Sequence, residues 1–405
     1  MLGDIMTASQ AVVRLKRGRD RPVLRGHPWI FSGAVEEIRG EPTVGAVVDV
    51  LSDGGTWLAR GLVHPEAALT VRIYTWKQDE AIDAGFFARR IDAAVAFREQ
   101  LFGDSDPGTN AYRLVFSESD GISGIIVDRY ADVLAVQLSA KVLQPYLEGI
   151  LDHLAKRTGI DKVHVVADED SVEREKLEPA GLPSSLSPGG QIVRIRESGF
   201  SFDVDLGSGQ KTGFFLDQRL NRRRVAAYAK GRRVLSAYCY TGAFEIHAAA
   251  GGATKIVGID RSESALVRAR EHHQLNGTTV PAEYTRAEVP DALRRFRDAG
   301  ETFDMIILDP PRFVANRAQL EKGLRAYKDI NLLAMKLLSP GGILVSFSCS
   351  GQVSSEDFKT MIGWASVDAG RTALITETLT QPPDHPVLAV FPESEYLKGV
   401  VCVLS

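Results

Sequence analysis

The chain has 405 residues, 44% of them hydrophobic and 25% charged, with a formal net charge of −4. That is globular composition at a length expected for two or three domains, and it carries no global nucleic-acid charge signature. No run of 18 apolar residues occurs and the N-terminus lacks an apolar core followed by a cleavage site, so neither a membrane span nor a secretory signal is expected.

Three cysteines, Cys239, Cys349 and Cys402, make an odd and widely spaced set. This argues against a disulfide framework and against a metal site, and it fits a reducing cytoplasm. Charge is uneven along the chain. Arg14, Lys16, Arg17, Arg19, Arg21 and Arg25 crowd one short stretch with Asp20 as its only acid, and Arg219, Arg222, Arg223 and Arg224 form a second cluster. Such runs attract phosphates or form solvated faces; composition alone leaves both open for the first cluster.

In chain order, residues 11–76 read as all-β. Two apolar runs flank the turn Ser52-Asp53-Gly54-Gly55, a hairpin signal, and LTVRIYTW continues the alternation. Residues 80–101 carry apolar side chains at helical spacing. Strands separated by Gly and Asp turns follow over YRLVFSESDGISGIIVDRYADVLAVQLSA, then a helix near 142–157 and a strand at 162–167. Residues 178–190 are rich in Pro, Gly and Ser, and a loop is expected there. From about 217 the rhythm changes to alternating helices and strands: helices at 217–230, 243–250, 262–276 and 317–338, strands at 233–237, 255–259, 303–308 and 343–347. That pattern means βαβ units and a mainly parallel, doubly wound sheet. The division expected is 1–78 all-β, 79–200 a small α+β unit with its connecting helix, and 201–405 the α/β domain.

In such a sheet ligands bind at the carboxyl ends of the strands. SAYCYTGAFE follows the strand at 233–237, with a single glycine, Gly242, at the start of a helix. A G-x-G-x-x-G fingerprint is absent, which disfavours a dinucleotide. Asp260 ends the next strand, placed either to accept from ribose hydroxyls or to cap a helix. Asp309-Pro310-Pro311-Arg312-Phe313 ends the strand at 303–308, and its two prolines fix φ and remove two donors, giving a stiff loop. Cys349 lies between two serines where the strand at 343–347 stops; free cysteines are most often small buried hydrophobes.

LSAYCYTGAFE, Asp260, FDMIILDPPRF and LLSPGGILVSFSCSG resemble, in order and spacing, the S-adenosylmethionine-dependent methyltransferases. GHPWIFSGAV at 26–35 resembles the start of an N-terminal PUA domain. DGISGIIVDRYAD, GQKTGFFLDQRLNRR and DHPVLAVFPESEYLKG are similar to signatures of the ribosomal RNA large subunit methyltransferase I family, enzymes forming 5-methylcytosine in RNA. The resemblance covers almost the whole chain.

It implies a class I methyltransferase domain and S-adenosyl-L-methionine as cofactor, with Ala237, Tyr238, Thr241 and Gly242 at its methionine part, Asp260 at the ribose and Glu288 near the adenine. Lys211, Thr212, Phe214 and Asp217 would form a loop over it, and Asp309 would border it. Cys349 would add to carbon 6 of cytosine, making carbon 5 nucleophilic, while Asp309 holds the N3/N4 edge. Cys402, in the apolar tail VVCVL, and Cys239 are expected to be packing. Relatives with a second cysteine use it for release; here Pro311 is followed by Arg312, so that step is not carried over. PUA-type domains bind RNA, and the first basic cluster lies beside GHPWIF; ribosomal RNA is the partner implied. The target base must be flipped or single-stranded, with Phe313, Tyr327 and Phe214 as stacking or core residues. Methylation of another atom and a non-catalytic RNA-binding assembly factor remain open as alternatives, as does a homodimer.

Overall fold

The computed structural model describes residues 11–102, 106, 108–167, 169–177, 182, 191–207 and 213–405. The chain divides into two compact units. One holds residues up to 193 with 204–214 and 384–394; the other holds 194–203, 215–383 and 395–405.

In the first unit a six-stranded sheet orders its strands Trp29–Phe31, Leu69–Thr75, Trp57–Val63, Val47–Leu51, Val12–Leu15 and Val35–Arg39. Alternating residues such as Val13, Leu15, Val48, Val50, Val71 and Ile73 fill its core. The Ser52–Gly55 turn joins two of these strands, as the sequence predicts. The connecting helix spans Ala84–Phe102, beginning after Asp83, whose Oδ1 accepts from Phe86 N (2.8 Å). A second sheet has the order Lys162–Val166, Val133–Leu138, Ile125–Tyr130, Ala111–Phe116. The helix expected near 142–157 starts as a 3₁₀ turn, Lys141–Tyr146, and becomes α-helical only at Leu147–Thr158, because Pro145 lacks the N–H that an α-turn needs.

The second unit is built on seven strands: β1 (Arg233–Ala237), β2 (Lys255–Asp260), β3 (Ala282–Arg286), β4 (Phe303–Leu308), β5 (Leu338–Ser348), β6 (Ala373–Thr380) and β7 (Lys398–Leu404). They order as β3-β2-β1-β4-β5-β7-β6. The first five are parallel; β7 runs antiparallel to both β5 and β6. The helices are α1 (Arg219–Ala226), α2 (Ala243–Ala250), α3 (Glu263–Leu275), α4 (Val289–Asp298), α5 (Leu320–Leu337) and α6 (Ser355–Ala369).

Burial on both faces explains the near-continuous apolar strands. Leu235, Val257, Ile306 and Leu344 face a core shared with α4, α5 and α6. Their neighbours Val234, Ile256, Met305 and Val345 face a core with Val225 of α1 and Phe244 and Ala248 of α2. The helix expected over 217–230 is shorter: a 3₁₀ turn, Leu216–Gln218, then α1 to Ala226, after which Ala227, Tyr228 and Ala229 donate three residues back. Among the described residues, no helix is long and apolar enough to cross a membrane.

Candidate active site

Four parallel strands end side by side along one edge, β2, β1, β4 and β5, and each end carries a residue singled out by the sequence. At about 4.8 Å per strand the row spans roughly 14 Å.

After β1 the chain makes an unusual turn. Tyr238 and Tyr240 have φ of 64° and 49°, and Gly242 has φ of 82°. Left-handed backbone is costly for tyrosine, so the turn is held by its surroundings. Cys239 N donates to Ile259 O (3.0 Å) and Gly242 N to Cys239 O (3.0 Å). Any Cβ at Gly242 would lie 2.9 Å from Ala269 Cβ, so only glycine fits this approach to α3. Behind the turn, buried His272 accepts from Asp203 N at Nε2 (2.8 Å), leaving protonated Nδ1 to donate to Thr241 O (2.7 Å). Burial holds His272 below the usual imidazole value, favouring this neutral form. Ala237 is buried at the base of the turn, and its carbonyl accepts from Asp309 N (3.3 Å).

At the end of β2, Asp260 accepts from Tyr240 N at Oδ2 (3.0 Å) and from Ser262 N at Oδ1 (2.9 Å). The helix-cap alternative is therefore taken by another residue: Ser262 is the N-cap of α3, accepting from Ala265 N (3.3 Å). A carboxylate has about four acceptor sites, so both Asp260 oxygens retain capacity for hydroxyl donors. Glu288, exposed just beyond β3, is the N-cap residue of α4 but makes no side-chain cap bond.

At the end of β4, Asp309 accepts from Gln218 Nε2 (2.9 Å). Burial pushes its carboxyl up to about 7, with the Asp217 carboxylate adding to the rise. Asp217 in turn accepts from Tyr396 OH (2.7 Å). Neither Gln218 nor Tyr396 was singled out by the sequence, although they fall within GQKTGFFLDQRLNRR and DHPVLAVFPESEYLKG. Beyond β5, Cys349 is half-buried and its Sγ donates to Pro310 O (3.8 Å), so the thiol sits against the Asp-Pro-Pro loop. The other two cysteines are buried; burial raises Cys239 well above the ordinary thiol value and Cys402 to about 12.

Some expected residues are not gathered here. Lys211 and Thr212 lie outside the described residues. Phe214 is buried in the first unit, its carbonyl accepting from Tyr130 OH (3.2 Å). Tyr327 has no exposed surface and bonds Ser350 Oγ (2.9 Å), so it is core; Phe313, against Tyr238 and Tyr327, keeps partial exposure. In the first basic run Lys16, Arg17, Arg19, Arg21 and Arg25 are exposed, while Arg14 pairs with Glu37 (3.0 Å). The second run is largely structural: Arg222 donates from Nη1 to both oxygens of buried Glu197 (2.8 and 2.7 Å), Arg224 pairs with Glu377, and Arg219 is buried.

Comparison with known proteins matches this architecture. The sequence model of the S-adenosylmethionine-dependent methyltransferase family matches residues 180–395, and that of the PUA-like domain matches residues 13–76. A relative from Shewanella denitrificans described as "Ribosomal RNA large subunit methyltransferase I" is 44% identical over 392 residues, covering 96% of this chain and 98% of that protein. One from Tolumonas auensis with the same description is 43% identical over 391 residues, again covering 96% and 98%. A solved protein from Streptococcus mutans shares the fold, with a TM-score of 0.82 at 21% identity over 97% of this chain and 99% of that one. With its PUA-like N-terminal domain and its S-adenosylmethionine-dependent α/β domain, the chain belongs to the ribosomal RNA large subunit methyltransferase I family.

Proposed function

We propose that this methyltransferase acts on carbon 5 of a cytosine in large-subunit ribosomal RNA, with Cys349 as nucleophile and Asp309 as the group that reads the base. The observation carrying this reading is the thiol of Cys349 against Pro310 O (3.8 Å), one residue from a carboxyl raised to about 7. Near neutral pH such a carboxyl is partly protonated. In that form it donates to the N3 acceptor of cytosine and accepts from the N4 amino group, a match to that edge of the base. Carbon 5 of cytosine is a poor nucleophile until the Cys349 thiolate bonds to carbon 6. The electron pair displaced from the 5,6 double bond is then available at carbon 5, and Asp309 stabilises charge building at N3. After carbon 5 is methylated, its proton passes to a base, the S–C6 bond breaks, and the double bond re-forms.

Asp260, Glu288, Asp217, the border residue Asp309 and the turn from Ala237 through Tyr238 and Thr241 to Gly242 are proposed to hold S-adenosylmethionine. The Asp260 oxygens have acceptor capacity for a ribose, and the left-handed turn leaves its backbone close to a ligand. Bound there, the cofactor supplies an electrophilic methyl group. Phosphate contact is assigned to Lys16, Arg17, Arg19, Arg21 and Arg25, with Arg14 contributing only if Glu37 releases it; affinity from such contacts is salt-sensitive. The description of the relatives as ribosomal RNA large subunit methyltransferases supports ribosomal RNA as the substrate, and a substrate of that kind places the reaction in the cytoplasm. Functional segments at 1–78, 79–200 and 201–405 are part of the same reading. A homodimer is supported by no observation and forms no part of it.

The test is incubation of the full chain with methyl-labelled S-adenosylmethionine and ribosomal RNA from a strain lacking the protein, followed by nucleoside mass spectrometry. Label in 5-methylcytidine is expected. Label on an exocyclic amino group or another base would overturn the cytosine assignment, and no label in any nucleoside would favour an assembly factor.

A further inference from the structure

Lys398 is a lysine in a strand that is otherwise apolar, KGVVCVL, and its side chain is only 5% exposed. Antiparallel pairing sets it opposite Ser348, the residue before Cys349. Its Nζ donates to Ser350 O (2.9 Å), the residue after Cys349. The ammonium thus brackets the cysteine from the neighbouring strand. Among the described residues that carbonyl is its one hydrogen-bond partner, and it enters no ion pair with them. Burying an ammonium without a counter-ion is expensive, and a lysine kept in such a place normally has a negative partner. Burial lowers Lys398 to about 8, and negative charge on Cys349, then on Glu395, opposes that fall. It is therefore still a cation at neutral pH.

We propose that the Lys398 ammonium is the counter-ion of the Cys349 thiolate, a positioning residue that keeps the nucleophile charged before the base arrives. This rests on the reading of Cys349 as nucleophile. The thiol loses its proton to solvent, the ammonium keeps its three N–H bonds, and no further reactant is needed. Groups facing the thiol include Tyr327 from α5, which feels charge on Cys349, and the Pro310 carbonyl beside Asp309; Glu395 precedes β7. Lys398 is a cation, and its charge favours the thiolate. A lysine kept merely to bind the Ser350 carbonyl would leave the thiol's titration unmoved.

The experiment is iodoacetamide alkylation of Cys349 across a pH series, read by peptide mass spectrometry on the full chain without RNA, in the wild type, Lys398→Met and Lys398→Arg. Lys398→Met should raise the midpoint by about one pH unit or more, slowing alkylation near neutral pH by about tenfold. Lys398→Arg, which keeps the charge, should stay close to the wild type. An unmoved midpoint in Lys398→Met, or a shift in Lys398→Arg as large as in Lys398→Met, would overturn the proposal. A second measurement needs no lysine variant: the Lys398 Nζ resonance, followed by NMR in ¹⁵N-lysine protein, should titrate at lower pH in Cys349→Ala than in the wild type, and an unchanged titration contradicts the pairing. Because alkylation is read without RNA, its outcome is separate from which atom is methylated. Formation of 5-methylcytidine with an unmoved alkylation profile sinks the lysine inference alone.

Discussion

Asp260 and Asp309 are the same side chain at the ends of parallel strands separated only by β1, yet their surroundings differ. Asp260 is fixed by two backbone N–H groups, at 3.0 and 2.9 Å, and acts as an oriented acceptor. Among the described residues Asp309 has one side-chain donor, Gln218, and it has an acidic neighbour, Asp217; burial and that neighbour push it up to about 7. Strand position delivers both carboxylates to the same carboxyl-end edge of the sheet, but the contacts around each decide which can carry a proton there. The contrast is between a group suited to holding a hydroxyl-bearing ligand and one suited to meeting charge that develops during a reaction.

The largest expected effect breaks that contrast on the reactive side. Asp309→Asn keeps the shape but cannot trade a proton, and turnover should fall by about 10²–10⁴-fold. Methylation at the wild-type rate would show that no proton is needed from this position. On the holding side, Asp260→Ala should weaken S-adenosylmethionine binding by about 1.5–3 kcal/mol, the cost of losing a charged acceptor. Calorimetry giving the wild-type affinity would remove Asp260 from the site.

A third test uses stability. Asp309 is raised in the folded state from 3.8 to about 7, so within that window the folded protein holds a proton that the unfolded chain has released. Its contribution is fully present below 3.8 and is lost as pH rises through about 7. Asp309→Asn should therefore gain stability relative to the wild type on going from about pH 5 to about pH 8, by roughly 1–2 kcal/mol once partial exposure is allowed for. Equal pH dependence in denaturant titrations of the two proteins would mean the carboxyl is not raised. The smallest effect is expected from the N-terminal basic run. Replacing Arg17, Arg19 and Arg21 by Gln should flatten the salt dependence of RNA binding by up to about 0.7–0.9 log-log units per residue, while cofactor affinity stays as it was. An unchanged slope would make that run a solvated face.

The strand-end residues were legible because period and punctuation are local: apolar runs stopped by Asp260, by Asp309-Pro310-Pro311 and by Ser348-Cys349 can be read without any long-range contact. What surrounds them was not, because it arrives from distant chain. Gln218 and Asp217 reach Asp309 across about ninety positions, Tyr396 comes back just before the antiparallel strand β7, and Lys398 is the first residue of that strand. The lone lysine in KGVVCVL was a readable signal, since a charge in a buried strand needs a reason. So was the capping box of α6, with Ser354 Oγ accepting from Asp357 N (3.0 Å). The second arginine cluster misleads for the same reason: a run of four cations says nothing of Glu197 and Glu377, which occupy two of them. Within the first unit, 384–394 folds back so that Phe391 packs on Trp29 at 4.6 Å and Asp384 O accepts from buried Arg98 (2.8 Å), a closure that no local pattern announces.

The central claim, that Cys349 bonds to carbon 6 of cytosine, is tested most directly with RNA carrying 5-fluorocytosine at the target. Fluorine replaces the proton that must leave carbon 5, so the covalent complex cannot resolve after methylation. A denaturation-resistant protein–RNA adduct should form only when S-adenosylmethionine is present. Cys349→Ala and Cys349→Ser should both abolish it, because a hydroxyl is far less ionised than a thiol near neutral pH, while Cys239→Ser and Cys402→Ser should retain it. Absence of an adduct in the wild type, or a Cys349→Ala protein that methylates carbon 5 at the normal rate, would contradict the account and leave this thiol as packing.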